Sequence, residues 1–119
     1  MLSAKVLLVT MLLLVAVSVR AESPPLSSFV VHFETGPGWD NAKAPAEQNG
    51  FREHSANLNR LRQSGVITFG ARYEDYGMIF IKAASLDVAT SIVASDPGVE
   101  SEIFVYRIAP LSVFYPWKE

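Results

Sequence analysis

The stretch Val-Ile-Thr-Phe-Gly-Ala-Arg-Tyr-Glu-Asp-Tyr-Gly-Met-Ile-Phe-Ile-Lys-Ala, residues 66–83, decides the fold. Residues 66–73 and 77–83 are rich in β-branched and aromatic side chains, and Glu74-Asp75 lies between them. That pattern predicts two strands joined as a hairpin. Helical patterns flank it on both sides. Upstream, Phe51, His54, Leu58 and Leu61 recur at spacings of three, four and three. They mark one face of a helix from about Ala46 to Ser64, with Gly65 as its stop; its start is open between Pro45 as a first-turn residue and Asn49 as a later cap. Downstream, Ser85 is the expected cap of a second helix, with Asp87 in its first turn. Leu86, Val88, Ala89, Ile92 and Val93 supply its apolar surface. This helix should end near Ser95, because Asp96 precedes Pro97 and that position disfavours helix.

Two outer strands complete the pattern. Residues 28–34 place Phe29, Val31 and Phe33 on one face, and Glu102 to about Pro110 forms the last strand. The apolar run Leu111–Tyr115 is read as a candidate extension of it. The order strand, helix, strand, strand, helix, strand predicts an α+β, ferredoxin-like split βαβ fold. Its four-stranded sheet should be mixed or antiparallel, with both helices on one face. The strands also carry a second message. Phe29–Val31, Met78–Ile81 and Ile103–Tyr106 are continuous apolar runs, whereas a sheet with one wet face alternates apolar and polar residues. The helices cover one face, so a second copy of the chain is the simplest cover for the other.

Composition narrows the function. The chain has 119 residues, which is room for one domain. Ten basic and twelve acidic residues give a formal net charge of −2, which argues against a nucleic-acid binder with a concentrated positive face. No cysteine is present, so disulfides, thiolate metal sites and a catalytic cysteine are excluded. At the N-terminus, Lys5 precedes an apolar run from Val6 to Val17, followed by Ser18-Val19-Arg20-Ala21. This is the pattern of a secretory signal peptide over residues 1–21, cleaved after Ala21, rather than a membrane anchor, which needs about 20 apolar residues. The mature chain loses Lys5 and Arg20, so eight basic residues stand against twelve acidic ones, a net charge of −4. It would be secreted or periplasmic, with no stable membrane insertion. Residues 22–27 read as an extended linker.

Few residues offer chemistry. His54 stands on the apolar stripe of the first helix. It reads either as a core histidine with one hydrogen bond or as a general acid or base facing a cleft. Asp96, in Asp-Pro-Gly, reads as a turn initiator or as the partner of that histidine, placed against the negative pole of the second helix. His32 alternates away from Phe29, Val31 and Phe33, so a packing or interface role on the second sheet face is favoured. Trp39 lies in the long Gly-Pro loop from Thr35 to Pro45, where it is either a lid over an apolar pocket or a loop anchor. No metal-binding His-Glu-x-x-His, nucleophile-elbow or phosphate-loop pattern occurs, so neither a metal nor a cofactor is implied.

Several motifs together resemble the YCII-related domain. They are Gly36-Pro37-Gly38-Trp39, Glu47-Gln48, Phe51-Arg52-Glu53-His54, Leu61 and Gly65, then Phe69-Gly70, Asp75-Tyr76-Gly77-Met78 and Ser95-Asp96-Pro97-Gly98-Val99. The similarity spans about residues 28–115 and assigns 28–119 to that domain. It implies a ferredoxin-like fold that dimerises through its sheets into an α+β barrel, with His54 and Asp96 as an active-site pair. Trp39, Gly70 and Arg72 are the expected ligand contacts. Most members of that family have no established activity; one branch eliminates hydrogen chloride from a chlorinated hydroxyquinol. This chain differs in having Gly70-Ala71 where Gly-Pro is common, Gly98 after Asp-Pro, and an export signal. The expected function is a cofactor-independent lyase or isomerase acting on a small cyclic or aromatic compound. The alternatives are a dimer that binds a small molecule without catalysis, and a dimer that binds a protein partner.

Overall fold

In a computed structural model, which describes residues 13–16 and 24–118, the 66–83 stretch is a hairpin. Strand β2 (Ile67–Tyr73) pairs antiparallel with β3 (Tyr76–Ala83), and Tyr73 faces Tyr76 across the turn. β3 pairs antiparallel with β1 (Ser27–Thr35), and β1 with β4 (Phe104–Pro110). The spatial order is therefore β2-β3-β1-β4, antiparallel throughout. Helix α1 (Phe51–Gln63) links β1 to β2, and α2 (Leu86–Ala94) links β3 to the last strand. This is the α+β, split βαβ arrangement expected from the order of elements. The expected signal peptide, with its cleavage point after Ala21, falls outside the described residues apart from 13–16. Among the described residues, no helix is long and apolar enough to cross a membrane.

Strand register explains the core. The pairs Phe29↔Ile81 and Val31↔Ile79 point to the helix side, where Phe33 and Ile67 join them. Leu61 of α1 and Ala89 and Val93 of α2 close over these side chains, so both helices lie on one face. Ten mostly aliphatic side chains removed from water are the main stabilising term in a domain of this size. The alternate residues face the other way. Val30, His32, Met78, Phe80 and Phe69 form a half-buried face that no helix among the described residues covers, and Val105 beside them is 45% exposed. Phe69 and Phe80 stack with ring centroids 4.9 Å apart on that face.

Three boundaries differ from expectation. The first helix does not begin at Ala46. Pro45–Glu47 make a single 3₁₀ turn, and α1 starts only at Phe51. Gly50 sits between them at φ 86°, a left-handed conformation that breaks a continuous helix. At its other end α1 stops as expected: Val66 N–H donates to Leu61 O and Gly65 N–H to Arg62 O, the Schellman arrangement. The Asp-Pro-Gly segment is more than a turn, because Pro97–Glu100 form a short helix, α3. The run Leu111–Tyr115 does not extend β4. Leu111 makes one more bond, its N–H donating to Ser28 O, and the chain then leaves the sheet with Phe114, Tyr115 and Trp117 exposed. Pro110 and Pro116 bracket that run, and proline supplies no ladder donor.

Candidate functional site

His54 lies in the first turn of α1, because the helix starts later than its apolar spacing suggests. Its ring is held by Phe104 at 4.7 Å and by Phe33 at 5.8 Å, the latter edge-to-face. His54 is 8% exposed and Asp96 1%. The two meet: His54 Nδ1 is 2.6 Å from Asp96 Oδ2. Two further donors converge on the same carboxylate. Gly98 N–H donates to Oδ2 at 2.9 Å, and Asn57 Nδ2 donates to Oδ1 at 2.8 Å. Arg60 donates to Asn57 Oδ1 at 2.7 Å, which fixes which way the Asn57 amide points. With Asp96 ionised, its oxygens accept only, so His54 carries its proton on Nδ1. That leaves Nε2 as the ring's acceptor. Among the described residues, Nε2 has no hydrogen-bond partner, and it is not sealed from solvent.

Asp96 is held differently from the sequence reading. It was expected to close α2, against that helix's negative pole. It is instead the N-cap of α3, so an N–H and not a carbonyl faces its carboxylate. A capping carboxylate there is the favourable arrangement. Gly98 makes it possible. A Cβ at residue 98 would lie 2.8 Å from Phe104, 2.9 Å from His54 Nδ1 and 3.0 Å from Asp96 Oδ2, so only glycine fits beneath the pair.

His54 borders a cleft of about 570 Å³ between α1 and the β2–β3 hairpin. The cleft exists because the helix-side residues at this end of the hairpin include Gly70 and Gly77, which project no side chain into it. A Cβ at either would meet its neighbours at an ordinary 3.7 Å. Trp39 and Phe51 pack on Phe104 of β4 as one wall, and Arg72 lies on β2, at the other edge of the sheet. All three expected ligand contacts, Trp39, Gly70 and Arg72, therefore line the cleft that His54 borders, while Asp96 lies behind the histidine. Trp39 is carried by the loop after β1, which Gln48 fastens. Its buried side chain accepts from Asp40 N–H at 2.8 Å and donates to the carbonyls of Asp40 and Lys43. Trp39 also packs on Phe104 at 5.7 Å, so it both anchors the loop and covers the cleft.

Two site residues were absent from the sequence reading. Asn57 was not singled out, being a polar residue off the apolar stripe of the first helix. Its signal is the i, i+3 spacing from His54, which puts both side chains over one spot. Phe104 looked like an ordinary strand aromatic, yet it touches Phe33, Trp39, Phe51 and His54. His32 lies on the uncovered sheet face, away from this cleft. Among the described residues, no three metal-ligating side chains converge. A comparison with known protein families finds no match for this chain, and neither does a comparison with curated proteins.

Proposed function

We propose that this chain is an exported, cofactor-independent lyase or isomerase that moves a proton on a small cyclic or aromatic compound. One observation carries the reading. His54 has one ring nitrogen fixed by a buried carboxylate and the other free at the wall of an aromatic-lined cleft. A base needs a fixed tautomer, an unoccupied nitrogen and room for the substrate beside it. The cleft volume falls in the range that holds a single small ligand. In this reading Nε2 takes a proton from an acidic C–H of the bound ring. An isomerase returns that proton to another carbon; a lyase lets the electron pair expel a leaving group from the adjacent carbon. Asp96 touches no substrate and acts as a positioning residue, holding the ring and balancing the charge it gains. The likeness to the YCII-related domain points the same way.

The test is hydrogen–deuterium exchange followed by proton NMR. The protein is incubated in D2O with a panel of cyclic ketones, unsaturated lactones and chlorinated hydroquinones. At least one compound should exchange a C–H or release chloride faster with protein than without. His54→Gln should remove that rate, since the amide can still donate to Asp96 but cannot act as a base. Binding without exchange across the panel would favour a non-catalytic ligand-binding protein.

A separate observation supports a homodimer. The uncovered sheet face presents Val30, Met78, Phe80 and Phe69 together. A contiguous apolar face of this kind is the usual mark of a protein interface. Light scattering at micromolar concentration should return about twice the monomer mass, and Phe80→Glu should halve it. A monomer in both cases would remove the dimer.

A further inference from the structure

The two long walls of the cleft differ in charge. The wall of Trp39, Phe51 and Phe104 is aromatic, and His54 is its only titratable group. The opposite wall holds Arg72 on β2, paired across the hairpin with Gly77 on the side that faces α1. Because its strand partner is a glycine, no neighbouring side chain on that face crowds the guanidinium. Among the described residues, Arg72 makes no hydrogen bond and no ion pair; Arg52 and Arg107 are unpaired too, but neither lines this cleft. Glu74 and Asp75 follow it at the hairpin turn and border the same cleft at its rim, and neither pairs with Arg72. An unpaired guanidinium facing an aromatic wall across a cleft is a recognition element for a planar oxyanion on a ring, since it offers a fork of donors to two oxygens. The two rim carboxylates set a limit on the other side, because a second negative group pointing outward would meet them.

We propose that the ligand of this cleft is an aromatic monoanion, a ring bearing one carboxylate, stacked against the Trp39–Phe104 wall with its charge on Arg72. The proposal rests on the reading of this cleft as the ligand site, and it adds the ligand's charge and orientation. It also brings the bound ring between Arg72 and His54. Negative charge that develops on the ring when a proton leaves is then met by a guanidinium already in place.

The test is titration of the full chain, with its 15N-labelled amides read by NMR, using three probes of one shape: benzoate, neutral benzamide and dianionic terephthalate. The Gly70 and Gly77 amides report binding in the cleft. Benzoate should bind at least ~10-fold more tightly than benzamide and than terephthalate, since a charge-assisted, two-pronged pairing to a guanidinium is worth about a decade in affinity. Arg72→Gln should bring benzoate to the level of benzamide, and Arg72→Lys should keep only part of the preference. Arg52→Gln, an exposed α1 position outside the cleft, should change nothing, which separates local pairing from overall charge. Equal affinity for benzoate and benzamide, or a preference that survives Arg72→Gln, overturns the anion while leaving the cleft as an aromatic site. If none of the three probes shifts either glycine amide, both the anion and the reading beneath it fall.

Discussion

The two histidines of this chain stand on opposite sides of one sheet and could hardly be placed more differently. His54, on the helix side, meets a carboxylate that also accepts from Asn57 and from the Gly98 backbone. His32, on the uncovered side, packs its ring near Tyr76 at 4.9 Å and Tyr73 at 6.0 Å. Its Nδ1 is buried and, among the described residues, makes no hydrogen bond; Glu34 Oε1 is 3.5 Å away but without hydrogen-bond geometry. The cause is the backbone. Residues i and i+2 on a strand project side by side, so His32 and Glu34 run parallel and cannot aim at one another. His54 and Asp96 come from a helix and from a cap facing it, and their side chains converge. A histidine becomes a usable base through the direction of its neighbours more than through burial.

The largest test of that contrast is Asp96→Ala. It removes the cap of α3 and leaves His54 Nδ1 and the Asn57 amide without their acceptor. Losing a cap costs about 1 kcal/mol, and each buried orphaned donor costs roughly 1–3 kcal/mol. A loss of about 3–5 kcal/mol is expected in urea unfolding. Asp96→Asn keeps the shape and an acceptor oxygen and should lose less than half of that. If Asp96→Ala costs under ~1 kcal/mol, the network adds little and the two histidines are alike in energy.

Gly98→Ala is the next largest. Alanine is the better helix former by about 0.5–1 kcal/mol, which by itself favours the change. Against that, its Cβ would press on Phe104, His54 Nδ1 and Asp96 Oδ2, each at 3.0 Å or less. Overpacking of that kind costs about 1–3 kcal/mol, so the steric term wins and the variant should be less stable. The His54 Nδ1–H resonance should move or broaden as the pair is pushed apart. A stabilised Gly98→Ala with that resonance unmoved would show the pair to be looser than its 2.6 Å separation implies.

Most of the frame was legible before the structure, and the misses share a cause. The strands announce themselves through β-branched and aromatic runs, α1 through the Phe51–His54–Leu58–Leu61 stripe, and α2 through its Ser85 cap and apolar content. Periodicity cannot show where a stripe stops being helix. Gln48 and Gly50 look compatible with a helix from Ala46, and only tertiary context makes Gln48 fasten a loop and Gly50 turn left-handed. α3 has four residues and begins Pro-Gly, so it carries no period at all. At the site, His54 was visible as a histidine on the apolar stripe of the first helix and Asp96 as a carboxylate at the end of the second. Asn57 was hidden because a polar helical residue usually faces water. The cleft was hidden because it is made by what Gly70 and Gly77 lack.

The smallest expected effect belongs to the other histidine. His32→Phe keeps a ring of similar size between Tyr73, Tyr76 and Met78, and it removes a buried nitrogen that has no hydrogen bond. Desolvating an unpaired polar atom is unfavourable in the folded state, so deleting it should help. The gain is limited, because the His32 side chain keeps 16% exposure and the Glu34 contact, weak as it is, is lost. Stabilisation by up to ~1 kcal/mol is expected in urea unfolding at neutral pH, opposite in sign to Asp96→Ala. The measurement also bears on the dimer. If His32 finds an acceptor across a sheet-to-sheet interface, the phenylalanine leaves that acceptor buried and unpaired, and the variant loses stability in a concentration-dependent way. Loss without concentration dependence would mean that His32 has a partner within its own chain, and the contrast between the two histidines would then fail.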